Sequence, residues 1–244
     1  MKICLDAGHG GKDPGACANG VKEKDLALEA VLAVGAKLEH AGVEVIYTRK
    51  TDTAAGEVTA RGKRAKGCDY FLSIHFNAGG GYGSEVYCNC KEAQGKTEAL
   101  LRDALHPLTG WRKIASKRYD NGAVISRNVG GAPSYRFAST LPAADYFGVL
   151  RGCWSAGVSG DLLEIAFVDN VDNLNAYLNN KEAVWTAIAE AICKAFGVTP
   201  VAPSPAPAGA KLYTPDITPM TYGDRVTVET ALKELGLEAV WKEV

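Results

Sequence analysis

Lys2-Ile-Cys-Leu-Asp-Ala-Gly-His-Gly-Gly-Lys-Asp-Pro-Gly15 is the stretch that decides the fold. Its first residues read as a strand ending at Asp6, and a glycine-rich loop then presents His9 with little steric cover. A helix follows over Glu23–His40, with Leu26, Ala30, Val31, Val34 and Leu38 on one face. Working outward, the same alternation repeats. Strands are predicted at Lys2–Asp6, Val43–Thr48, Tyr70–His75, Ser84–Cys88 and Asp161–Phe167, and further helices at Glu57–Lys66, Glu92–Leu105, Val171–Leu178 and Lys181–Phe196. Gly42, Gly67 and Gly197 follow three of these helices, where a left-handed cap residue is expected. Strands alternating with helices of this length imply an α/β layered domain with a largely parallel sheet.

The boundary of that domain is compositional. Val198-Thr-Pro-Val-Ala-Pro-Ser-Pro-Ala-Pro-Ala-Gly-Ala210 carries Pro200, Pro203, Pro205 and Pro207, which suit an extended spacer and no helix. Residues 1–197 therefore form one domain, 198–210 a linker and 211–244 a short C-terminal appendage. A helix is predicted from about Val228 to Leu235, stopped by Gly236. The appendage carries Lys211, Arg225, Lys233 and Lys242 against Asp216, Asp224, Glu229, Glu234, Glu238 and Glu243, a net of −2.

Composition narrows the partners. With 27 basic and 28 acidic residues the chain lacks the positive excess of a broad nucleic-acid-binding face. No stretch approaches the roughly 18 apolar residues of a membrane span, so no membrane insertion is expected. Met1-Lys2 runs straight into the first strand with no apolar leader, which predicts synthesis in the cytoplasm without a signal peptide. Seven irregularly spaced cysteines read as reduced thiols, not as a disulfide framework.

Four residues carry candidate chemistry. His9 sits among four glycines. The loop is no phosphate cradle, because Lys12 is followed by Asp13 and Pro14, not by Ser or Thr opening a helix. Glu23 stands where a loop turns into a helix, His75 ends the apolar strand Phe71-Leu-Ser-Ile-His75, and Glu164 interrupts the apolar strand 161–167, where a lone carboxylate is costly. Singly, each has an ordinary reading as a packed residue, a surface residue or a helix-dipole partner. Jointly, two histidines and two glutamates fall at strand ends and loop–helix junctions, the edge where α/β sheets place their sites. Two His and one Glu with an open position for water is a known hydrolytic zinc set. His40 reads as a dipole partner, His106 as a surface residue, and Cys88 with Cys90 lacks partners for a closed metal site.

At this point a family resemblance becomes plain. Asp6–Gly15, Glu23-Lys-Asp25, Thr48-Arg49 with Asp52, Arg61 before Ser73-Ile-His-Phe-Asn-Ala78, Val149-Leu-Arg151 and Leu163–Asn170 occur in an order similar to that of the zinc-dependent N-acetylmuramoyl-L-alanine amidases of type 3. The resemblance covers residues 2–197. It implies a mixed, largely parallel sheet of about six strands flanked by helices, and one zinc ion per chain held by His9, Glu23 and His75. It further implies Glu164 as the catalytic base and cleavage between N-acetylmuramic acid and L-alanine in peptidoglycan. Asp6 is expected to orient a ligand histidine. Phe76 and Ala166 depart mildly from the family pattern, and residues 108–148 match it poorly.

Such an enzyme made without a leader reaches the wall only after release. The compact layout favours a phage endolysin. A sporulation autolysin of the same activity, a zinc peptidase acting within the stem, and an inactive wall-binding protein are the alternatives. The appendage weakly resembles small modules of bacterial wall proteins, and leaves open wall binding, self-association or an inert remnant.

Overall fold

The computed structural model describes residues 1–54, 56–88, 96–111 and 147–199. The chain divides into two units, Met1–Pro200 and Val201–Val244. The helix expected at 228–235 lies outside the described residues.

The first unit opens with β1 (Lys2–Ala7) and a short antiparallel ribbon of β2 (Cys17–Ala18) and β3 (Val21–Lys22). Then come α1 (Glu23–His40), β4 (Glu44–Tyr47), α2 (Val58–Lys63), β5 (Tyr70–Asn77) and β6 (Glu85–Cys88). After α3 (Lys96–Thr109) and α4 (Gly148–Ser155), β7 (Gly160–Phe167) completes the sheet, and α5 (Val171–Leu178) and α6 (Lys181–Phe196) cover it. Strand order is β4-β1-β5-β7-β6, parallel throughout except for the antiparallel edge strand β6. Among the described residues this sheet has five strands, against the expectation of about six. No described helix is long and apolar enough to cross a membrane, and no disulfide joins the described cysteines.

Alternation along each strand sends successive side chains to opposite faces. Ile3, Leu5, Leu72, Ile74, Leu163 and Ile165 face a large core completed by Val31 and Val34 of α1, Leu101 of α3, Tyr177 of α5 and Ile188 of α6. Each such side chain contributes about 1.5–3 kcal/mol on full burial. The opposite face holds a smaller core: Cys4, Phe71, Tyr87 and Leu162 pack on Val149, Leu150 and Cys153 of α4. This second layer is drawn in tightly where α2 meets α4. A Cβ on Gly62 would lie 2.0 Å from the Val149 carbonyl, and one on Gly152 would lie 2.2 Å from the Thr59 carbonyl.

Several element boundaries differ from those predicted. The helix α2 ends earlier than expected, at Lys63, although Gly67 does adopt a left-handed φ of 81°. Its start is fixed by Glu57, whose carboxylate accepts from the amides of Thr59 and Ala60. Helix α3 continues through Pro107 instead of stopping before it. Nothing in the sequence reading anticipated α4.

Candidate metal centre

Consider first how the loop presents His9. Its own φ is +59°, a left-handed conformation that is uncommon and strained outside glycine, and Gly10, Gly11 and Gly15 also have positive φ, at +131°, +60° and +65°. Gly10 and Asp13 close the loop by exchanging amide-to-carbonyl bonds at 3.0 and 3.2 Å. Below it, β5 runs parallel beside β1 and delivers His75. Its pairing with β7 slips between His75 and Asn77, a bulge of the kind that re-aims side chains beside sites.

Glu23 joins the two histidines. It is almost fully buried in the first turn of α1. Its Oε2 accepts from the Ala16 amide at 2.8 Å and lies 3.0 Å from His9 Nε2. Its Oε1 accepts from the Phe76 amide at 3.1 Å and lies 2.8 Å from His75 Nδ1. Burial pushes this carboxyl upward, but the bonds and charges of His75 and His9 more than offset that and hold it well below the usual carboxylate range.

The other nitrogen of His9 is also engaged. Nδ1 lies 2.8 Å from Asp13 Oδ2, and Asp13 Oδ1 accepts from the Gly15 amide at 3.1 Å. Burial lowers the His9 pKa, and the Glu23 and Asp13 carboxylates raise it by more, so the net shift is upward. Two glycines make room for the cluster. A Cβ on Gly8 would sit 2.5 Å from the His75 ring, and one on Gly15 would sit 2.5 Å from Glu23 Oε2 and 2.6 Å from the His9 ring.

One donor atom from each of His9, Glu23 and His75 falls within 4.8 Å of the others. Two imidazoles and one carboxylate at that spacing are a donor set that suits zinc. Glu164 is half-buried on β7, paired in register with His75 on one side and with Glu85 on the other. Residues paired in register point to the same face, with backbones about 4.8 Å apart. Glu164 therefore rises beside His75 on the α2–α4 side. Glu85, fully buried, accepts from Asn77 Nδ2 at 2.8 Å and from the Tyr87 hydroxyl at 2.6 Å.

Asp6 takes a different place from the one expected. It touches neither histidine. Its carboxylate is completely buried and accepts from Thr48 Oγ1 (2.6 Å), Ser73 Oγ (2.6 Å) and both Nε and Nη2 of Arg61 (3.0 and 2.5 Å). Desolvation raises its pKa, and Arg61, Ser73 and Thr48 together lower it by more. The residue that engages the outer nitrogen of His9 is Asp13, which the glycine-loop motif contains but which no periodicity singles out. Cys88 is buried in β6, and Cys90 lies outside the described residues. Most of the poorly matching segment 108–148 also lies outside them.

The fold and the constellation define a class: an α/β protein with a two-histidine, one-carboxylate centre at the carboxyl edge of its parallel strands. More narrowly, the chain belongs to the N-acetylmuramoyl-L-alanine amidase family, whose model matches residues 3–196. It is 44% identical over 110 residues to the N-acetylmuramoyl-L-alanine amidase CwlM of Bacillus licheniformis, a match covering 43% of this chain and 42% of that protein. It is 40% identical over 111 residues to an endolysin of Bacillus phage SPP1, covering 43% and 41%. The chain thus spans about two fifths of the length of these curated relatives. The catalytic domain of the amidase CwlV from Bacillus (Paenibacillus) polymyxa shares the fold, with a TM-score of 0.59 and 24% identity over 81% of this chain and 99% of that one.

Proposed function

We propose that this chain is a zinc-dependent amidase that cuts the bond between N-acetylmuramic acid and L-alanine in bacterial peptidoglycan. The observation that carries the reading is the convergence of His9, Glu23 and His75, with Glu164 in register beside His75, in a chain of this family. His9, Glu23 and His75 would hold one zinc ion. Bound there, zinc supplies Lewis acidity, polarising the scissile carbonyl and acidifying water.

The protein's own groups do the rest. Asp13 keeps His9 turned so that Nε2 faces the centre. Glu164 takes a proton from the attacking water and returns it to the departing amine of L-alanine. One C–N bond breaks and one C–O bond forms, leaving a lactyl carboxylate on the sugar and a new amino terminus on the stem peptide. The catalytic unit is placed at 1–197 with a linker at 198–210 and an appendage at 211–244; the family match ending at residue 196 supports that boundary. Similarity to a phage endolysin supports a role in host-wall lysis after release from the cytoplasm. Similarity to a bacterial amidase keeps an autolysin of the same activity as the second reading.

The two glutamates separate the roles. Glu164→Gln should keep close to one zinc per chain and lose turnover by about 10²-fold or more, the scale of general acid–base catalysis. Glu23→Gln should instead weaken zinc retention. Elemental analysis and mass spectrometry of digested peptidoglycan read both quantities. A Glu164 variant that loses zinc while the Glu23 variant keeps it would reverse the assignment, and reducing sugars or cuts inside the stem would refute the proposed bond.

A further inference from the structure

We infer that Arg49 is a positioning residue of the metal centre: its guanidinium ties the loop carrying His9 to the helix turn carrying Glu23 and so sets the spacing of two donors. The inference rests on the zinc site proposed above. Arg49 follows Thr48 at the end of β4 and is 5% exposed. Its Nε donates to the Ala7 carbonyl at 3.1 Å, and its Nη2 donates to the carbonyls of Gly8 and Lys24, both at 2.8 Å. Nη1 donates to the Thr51 carbonyl at 3.2 Å. Gly8 immediately precedes His9, and Lys24 immediately follows Glu23. One atom, Nη2, therefore holds the main chain beside each of two donors.

This is an unusual use of a buried cation. Taking a guanidinium out of water is costly unless it is paired, and a carboxylate is the ordinary partner. Arg61, twelve residues further along the chain in α2, meets that rule through Asp6. Among the described residues Arg49 makes no ion pair, and every hydrogen bond described for it ends on a main-chain oxygen. A rigid planar fork fixes Nη2 between the Gly8 and Lys24 carbonyls by anchoring Nε on Ala7 and Nη1 on Thr51; a single ammonium nitrogen has no such flanking anchors to hold it there. The loop is built to receive it. A Cβ on Gly10 would lie 3.0 Å from Arg49 Nε and 2.4 Å from the Thr53 carbonyl.

A second strap runs beside the first. Lys24 Nζ donates to the Gly11 carbonyl at 2.9 Å and pairs with Asp52 at 2.5 Å, while Asp52 accepts from the Gly11 amide at 2.8 Å. That strap is more exposed and closes on the far end of the loop. Among the described residues Arg49 alone bonds next to both His9 and Glu23. The left-handed backbone at His9 needs such outside support, since a strained conformation persists only where its surroundings over-determine it.

The test compares zinc affinity of wild type, Arg49→Lys, Arg49→Ala and Leu38→Ala, each stripped of metal and titrated against a chromophoric chelator. Leu38→Ala destabilises a remote part of the core and reports what lost stability alone does. Arg49→Lys and Arg49→Ala should bind zinc about 10–100-fold more weakly, the range for residues that orient metal ligands, and Leu38→Ala should bind it as wild type does. Low-millimolar guanidinium should restore affinity to Arg49→Ala. Wild-type affinity in either folded Arg49 variant overturns the inference, as does an equal loss in Leu38→Ala. If Arg49→Ala does not fold, Arg49→Lys decides. Should wild type itself bind no zinc, the metal reading fails, and the ring ¹⁵N shifts of His9 and His75 in metal-free protein then decide Arg49. Shifts unchanged by Arg49→Lys refute its role, and altered shifts uphold it.

Discussion

The two faces of the sheet differ in kind. Toward α1, α3, α5 and α6, the strands present Ile3, Leu5, Leu72, Ile74, Leu163 and Ile165, apolar from one end to the other. Toward α2 and α4, the three strands β1, β5 and β7 change character along their length. β1 passes from Cys4 to Asp6, β5 from Phe71 through Ser73 to His75, and β7 from Leu162 to Glu164. The gradient runs from packed hydrocarbon, through a buried ion network, to candidate chemistry at the carboxyl ends. One face is thus given wholly to packing, while the other combines packing, a buried ion network and the candidate site, so adjacent residues such as Leu163 and Glu164 meet different surroundings.

Arg61→Leu should break that contrast most severely. It leaves Asp6 as a buried carboxylate without its cation, which costs about 3–5 kcal/mol. Denaturant unfolding measures it, and a midpoint like wild type would show that the network adds little. Asp13→Asn should sharpen the contrast. Zinc affinity should fall by about tenfold with little change in unfolding midpoint, because Asp13 is mostly exposed and touches no core side chain. Loss of stability with affinity intact would show a structural role instead.

The smallest effect is a pH dependence confined to the polar face. In metal-free protein His9 has a pKa raised above 6.5, so its stabilisation is complete below that value and is lost as pH rises through the folded-state pKa. Glu23 is held below 4.5, so its contribution is present above that value and fades in acid. The stability difference between wild type and His9→Gln should therefore be larger near about pH 5.5 than near about pH 8. Equal differences at the two pH values would contradict the pairing. Leu72→Ala, on the apolar face, should show no such trend.

Much of this was legible in the sequence, and the exceptions share a cause. Helices α1, α5 and α6 match their predicted limits because apolar stripes and caps specify them locally. Helix α4 was missed because Gly148 and Gly152 are poor helix formers, and its place depends on contact with α2. His9, Glu23 and His75 are legible only jointly, as residues gathered at strand ends and loop–helix junctions in the order of the family's motifs, since singly each has an ordinary reading. Asp13 is not legible even so, since its approach to His9 follows from a run of left-handed torsions that periodicity cannot register. Arg49 is legible in the sequence only as part of a motif. Its partners are main-chain carbonyls, which every residue has, so no pairing of side chains betrays it.

The contact of Gly62 with Gly152 has a consequence for how errors travel. Two helices that meet backbone to backbone have no compressible side chain between them, so the joint has no tolerance. Gly62 adjoins Arg61, whose guanidinium reaches Asp6; Asp6 holds Ser73, two residues before His75 on the same strand. A single methyl added at that joint would lift Arg61 off its seat and be felt, as through a train of gears without slack, at the far edge of the sheet.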